Sequence, residues 1–155
     1  MNIRTAIPAD ADKIMQLLVQ VNNVHSAVRP DLFIKDKTKY TVPRLIDIIN
    51  NDKTPVFVAD DNGEVKGYCF GILQSHENDN NISDITTFYI DDLCVDENCR
   101  GEHIGRDLYE YAVSFAKNSG CYNLTLNVWD GNDAAIKFYE KCGLKTQKYG
   151  LEAIL

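Results

Sequence analysis

The run Ile90-Asp91-Asp92-Leu93-Cys94-Val95 passes directly into Asp96-Glu97-Asn98-Cys99-Arg100-Gly101-Glu102-His103-Ile104-Gly105, and no other part of the chain restricts its fold so tightly. The first half is an apolar, strand-like segment. The second half is a glycine-bearing turn. After it Ile104, Leu108, Tyr111, Ala112, Phe115 and Ala116 recur at the i, i+4, i+7, i+8 spacing of an amphipathic helix halted by Gly120. A strand entering a helix through so short a turn leaves unpaired N–H groups at the helix N-terminus, where the macrodipole is also positive. Such an end holds anions, phosphate above all.

The rest of the pattern supplies neighbours for that strand. Residues 3–6 read as a short strand. Pro8-Ala9-Asp10 opens a helix over residues 11–24, with Ile14, Leu17, Leu18 and Val21 at helical spacing. Residues 25–40 show little periodicity. Thr41 and Pro43 start a second helix striped by Leu45, Ile46, Ile48 and Ile49. Strands over 56–59 and 65–73 flank the hairpin signal Asp60-Asp61-Asn62-Gly63, a polar loop covers 75–83, and a long strand is expected over 84–95. Tyr122, Leu124, Leu126 and Val128 alternate with polar residues as in a strand. Ala135, Phe138, Tyr139 and Cys142 then share one helical face that stops at Gly143, and residues 146–155 are expected to close the sheet. Strands first in hairpins and then separated by helices predict an α/β fold, a central mixed, mostly antiparallel sheet flanked by helices.

With 155 residues, 45% of them hydrophobic, the chain suits one domain spanning residues 1–155. No apolar run reaches membrane-spanning length and Met1-Asn2-Ile3-Arg4 has no signal-peptide character, so a cytoplasmic protein without membrane contact is expected. Five cysteines without a C-x-x-C pair point to reduced, mostly buried thiols. The net charge of −7 repels nucleic acid and favours cationic or neutral partners. His25, His76 and His103 have no metal-ligand spacing, and no metal is expected.

The Arg100-Gly101-Glu102-His103-Ile104-Gly105 turn, followed in order by Asn132, Ala135, Phe138-Tyr139 and Cys142-Gly143, resembles the GNAT superfamily of acetyl-CoA-dependent N-acetyltransferases. The likeness runs from Pro55 to Leu155. It implies that the backbone of Leu93, Cys94 and Val95 pairs with the pantetheine arm of coenzyme A. It also implies that N–H groups of Gly101, Glu102, His103, Ile104, Gly105 and Arg106 hold the pyrophosphate, with Arg100 closing the turn. His103 departs from the family, which has a glycine there. Tyr139 corresponds to the family's general acid, a role suited to a phenol that stays protonated at neutral pH with a pKa of about 10. Asn132 is open to two readings, a coenzyme A contact and a helix cap.

The arriving amine must lose a proton. Asp91 and Asp92 are the carboxylates on the donor strand, facing opposite sides unless a bulge intervenes. The stretch 89–101 is similar to the diamine acetyltransferase branch, which favours Asp91 near the acceptor. His25, Asp31 and Phe33 fall in the segment that borders the acceptor pocket in this family. The resemblance thus implies direct acetyl transfer to a primary amine of a small molecule or peptide, with a homodimer left open. The alternative is a non-catalytic coenzyme A sensor or partner module.

Overall fold

The computed structural model describes residues 1–155. Five strands form one sheet in sequence order: β1 (Asn2–Thr5), β2 (Val56–Asp61), β3 (Glu64–Ser75), β4 (Thr86–Val95) and β5 (Asn123–Leu126). The first four pair antiparallel, and β5 lies parallel to β4. The helices are α1 (Ala11–Val28), α2 (Val42–Ile49), α3 (Ile104–Asn118) and α4 (Asp133–Lys141). No helix is long and apolar enough to cross a membrane.

The central strands are apolar on both faces because both are covered. Val56, Val58, Tyr68 and Phe70 pack under α1 and α2 with Ile14, Leu17, Leu18 and Leu45. Phe57, Ala59, Cys69, Phe88 and Ile90 pack against Ile104, Leu108 and Ala112 of α3 on the other face. Asn62 and Gly63, with φ of 53° and 91°, make the left-handed pair that a two-residue hairpin turn requires between β2 and β3.

Two expectations need correction. First, α1 runs one turn beyond residue 24, to Val28, so His25 sits on helix rather than in irregular chain. Second, residues 145–155 do not close the sheet. They form no strand, every one is exposed, and none makes a backbone hydrogen bond. Alternating apolar residues become a strand only where an edge lies within reach, and this tail meets none in its own chain.

The five cysteines are free. Cys69 and Cys94 are buried, and Cys99, Cys121 and Cys142 are partly so.

A bulge shapes the middle of the sheet. Phe70 pairs with Asp92 and Gly71 with Ile90, which leaves Asp91 as the extra residue of β4. At Gly71 a Cβ would lie 2.2 Å from the Phe88 ring, so only glycine lets Phe88 pack there.

Candidate active site

The pairing of β4 with β5 ends at Ile90 and Leu126. Beyond that point β4 continues to Val95 with β3 on one side and no strand on the other, so a bare edge of peptide groups opens at Leu93, Cys94 and Val95. The Cys94 side chain turns into the core, with its Sγ 3.6 Å from the Leu17 carbonyl oxygen, and burial pushes the thiol up to about 12. Here the backbone, not the sulfur, is available for chemistry.

Asp96 ends the strand. It accepts bonds from Lys13 Nζ at 2.6 Å and from the Asn98 N–H at 3.1 Å, and these, the lysine foremost, hold its carboxyl at about 2 against the opposing effect of burial. The turn that follows needs left-handed backbone at Gly101, φ 89°, and again at His103, φ 62°. Histidine tolerates that region better than most side chains, so the departure from glycine leaves the turn geometry intact. None of the five N–H groups from Gly101 to Gly105 is bonded within the chain. Arg106 is the exception among the expected donors: its N–H bonds the His103 carbonyl at 2.9 Å and its guanidinium pairs with Glu110. Arg100 is exposed and makes no ion pair. Five free N–H groups and an unpaired guanidinium at a helix N-terminus suit an anionic diphosphate.

Beside the bare edge lies a cleft of about 110 Å³ whose walls come from α1, β4, the segment after β5 and α4. Asn132 lines it and also caps α4, accepting the Ala135 N–H at 3.3 Å, so both readings of this residue are compatible. Tyr139 reaches the cleft from α4, edge-on to Phe138, and its hydroxyl makes no hydrogen bond within the protein. Burial, then the nearby Cys69 and Asp92, raise its pKa, so the phenol is a proton donor at neutral pH.

Both β4 carboxylates line this cleft, because the bulge removes the alternation that would send them to opposite faces. Their partners differ. Asp91 accepts from Lys39 Nζ at 2.7 Å and from the Tyr40 hydroxyl at 2.9 Å. Asp92 accepts only a neutral donor, the fully buried Tyr68 hydroxyl at 2.9 Å, and burial pushes it up to about 6 although that bond pulls the other way. Lys39, Tyr40 and Tyr68 were not legible as site residues. Tyr68 alternates on its strand like any core residue, and the lysine lies more than fifty positions from its carboxylate.

The opposite wall is aromatic. His25 lies 5.1 Å from Phe33, and Phe33 meets Trp129 edge-on at 5.5 Å. Burial, and after it the Lys39 charge, lower the His25 pKa, so the ring is neutral at pH 7. Phe33 touches both rings but does not itself line the cleft. Asp31 stands apart: it is exposed, outside the cleft and locked to Arg29 by two bonds of 2.9 and 2.7 Å.

Comparison with known proteins agrees with this geometry. The Acetyltransferase (GNAT) family matches residues 13–144. Glucosamine 6-phosphate N-acetyltransferase of Arabidopsis thaliana is 34% identical over 59 residues, which is 38% of each chain. Glucosamine 6-phosphate N-acetyltransferase 1 of Dictyostelium discoideum is 34% identical over 64 residues, 41% of this chain and 38% of that one. The matched stretch thus spans well under half the length of these curated relatives. The crystal structure of the F44R mutant of the BH1408 protein from Bacillus halodurans superposes with a TM-score of 0.94 at 31% identity, covering 100% of this chain and 99% of that one.

Proposed function

The chain belongs to the GNAT acetyltransferase family, and on that premise we propose that it transfers an acetyl group from acetyl-CoA to a primary amine by direct attack. One observation carries the proposal: a protonated Tyr139 hydroxyl with no protein partner shares a small cleft with Asp92, and that cleft opens on the bare edge of β4.

In this reading the edge at Leu93, Cys94 and Val95 pairs with the pantetheine amides, while the N–H groups from Gly101 to Gly105 and the Arg100 side chain hold the pyrophosphate. Asp92 first takes the ammonium proton, directly or through water, and the free amine nitrogen then attacks the thioester carbonyl, forming the C–N bond. As the C–S bond breaks, Tyr139 gives its proton to the sulfur, and the second N–H proton lost by the new amide nitrogen restores the phenol. Asp91, held by Lys39 and Tyr40, completes the acidic end of the cleft that draws an ammonium group in. Cys94 is unsuited to an acyl-enzyme step, since its buried thiol stays protonated.

The acceptor is a small amine or peptide N-terminus with an apolar flank, set between the carboxylates and the wall of His25 and Trp129. A phosphorylated amine such as the one named for the curated relatives fits less well. Arg29 and Lys39, the cations bordering the cleft, are already paired with Asp31, Glu152 and Asp91. We place the protein in the cytoplasm, where free cysteines stay reduced.

The test is thiol release from acetyl-CoA with a panel of diamines, aralkylamines, peptide amines and glucosamine 6-phosphate. Turnover of cationic amines ahead of glucosamine 6-phosphate is expected, and the reverse order would remove the electrostatic argument. Coenzyme A binding, seen as a rise in Tm, without turnover of any amine would instead favour a sensor.

A further inference from the structure

The acceptor end of the cleft holds a cation that the chain supplies itself. Lys39 lies in the segment between α1 and α2, and its Nζ donates to Asp91 Oδ2 at 2.7 Å while the neighbouring Tyr40 hydroxyl donates to the same oxygen at 2.9 Å. A lysine is ordinarily a mobile point charge, and fixing one costs side-chain entropy. Here the segment is pinned on either side of it. Asn22 Nδ2 donates to the Ile34 carbonyl at 2.7 Å, and Asn23 exchanges two bonds with Asp36, at 2.9 and 2.8 Å. After the lysine, the Tyr40 ring packs against Phe70 at 5.8 Å, and the ammonium lies 5.4 Å from the Tyr40 centroid. The path of the segment therefore sets the ammonium beside Asp91.

The charges around the cleft nearly balance. Of the side chains that line it, His25 is neutral, Tyr139 is protonated, and Asp91 and Asp92 are the two acids. Lys39 cancels Asp91. Asp92 has only the neutral Tyr68 hydroxyl as a partner. Arg29, the other bordering cation, is engaged by Asp31 and Glu152. One negative charge is left uncompensated, and a single incoming ammonium neutralises it. A second ammonium on the same acceptor would meet the Lys39 charge or go unpaired, and both are unfavourable in a partly desolvated cleft.

We propose that Lys39 determines acceptor choice: as a built-in counter-ion to Asp91 it fills the second cation position, so that the protein acetylates amines carrying one positive charge and discriminates against diamines and polyamines. The inference rests on the proposed transfer to an amine with Asp92 as base, and it names the class of amine. It runs against the likeness of residues 89–101 to the diamine branch, because that stretch includes Asp91 but not the lysine that neutralises it. Selectivity of this kind comes from repulsion of the wrong acceptor as much as from attraction of the right one.

Butylamine and putrescine share a chain length and differ by the second ammonium, so their ratio isolates its effect. The parent should acetylate butylamine with a kcat/KM about tenfold above that for putrescine. Lys39→Met removes the charge while keeping an unbranched side chain, and should raise the putrescine-to-butylamine ratio by about tenfold or more, mainly through a lower KM for putrescine. Lys39→Arg keeps the charge and should retain the parent's ratio. Isothermal titration of each amine into the protein saturated with coenzyme A should show the same shift in Kd without turnover. A parent that prefers putrescine, a ratio that Lys39→Met leaves where it was, or one that Lys39→Arg moves as far as Lys39→Met does, would each overturn the proposal, as would failure of butylamine to bind. Turnover of no amine together with the expected shift in Kd would remove the acetyl transfer and leave the charge selection standing.

Discussion

In the proposed reading the donor and acceptor sides of the cleft are built from different materials. The donor side is backbone: the bare edge of β4 and the free N–H groups from Gly101 to Gly105. The acceptor side is side chain: Asp91 and Asp92 on one wall, His25 and Trp129 on the other, Tyr139 between. A backbone site tolerates most side-chain changes that keep its dihedrals, whereas a side-chain site depends on each hydroxyl and carboxylate. The donor side should therefore respond to changes of shape and the acceptor side to changes of chemistry.

The largest expected effect breaks the two apart. Tyr139→Phe removes one oxygen and should lower kcat by about 10²-fold or more while the rise in Tm caused by coenzyme A is kept. Steady-state rates and thermal shift measured on the same protein check this, and near-normal turnover would move the proton donor away from α4.

Next in size is Asp92→Asn, which should lower kcat/KM for amines by roughly 10²-fold and remove an acid limb centred near pH 6. Stability should move the opposite way. The folded carboxyl titrates at about 6 against an ordinary 3.8, so the proton binds the folded state more tightly. The resulting stabilisation is present below the unfolded pKa and is lost as pH rises through the folded one. That loss amounts to about 3 kcal/mol at most. Urea unfolding of parent and variant at low and neutral pH should show the parent falling behind the variant as pH rises. Parallel curves would mean that Asp92 is not held in a destabilising environment.

A change on the donor side sharpens the contrast. At Gly105 a Cβ would meet Phe138 and Val95 at 3.5 Å, an ordinary contact, so Gly105→Ala should fold well and gain up to about 1 kcal/mol from helix propensity. Coenzyme A should nevertheless bind roughly tenfold more weakly, because the methyl group stands where the diphosphate approaches. Isothermal titration together with apo Tm decides the point, and unchanged affinity would remove Gly105 from the cradle.

The smallest effect is expected at Asp31. Its carboxylate is exposed and already paired with Arg29, so Asp31→Asn should change kcat/KM for a cationic amine by less than about twofold. A larger drop would restore the steering role that its position in the chain suggests.

The donor half was the more legible because its signals are local. Gly101, the amphipathic run from Ile104 and the strand before them are neighbours in sequence, and a strand, turn and helix cap are set by neighbouring dihedrals. The acceptor half was read only in part. Tyr139, named from its motif, and His25, named from its segment, line the cleft, whereas Phe33 and Asp31 of the same segment do not. Asp91 and Asp92 face opposite sides of a regular strand and one cleft across a bulge, and strand alternation does not tell which holds, because the bulge forms in the pairing with β3, where Gly71 makes room for Phe88. The tail misled for a related reason. Its alternation is that of a strand, but a strand needs an edge, and whether one lies within reach depends on the path of the chain.

What the sequence by itself determined was therefore the order and type of the elements up to α4, the glycine turn that leaves its N–H groups free and the tyrosine on α4, all properties of residues close together along the chain. The tertiary structure alone decided which carboxylate stays unpaired by a cation, which cations are already neutralised, and which sheet edge is left open. Those outcomes depend on contacts between residues as far apart as Lys39 and Asp91 or Arg29 and Glu152, and on the desolvation that only packing produces.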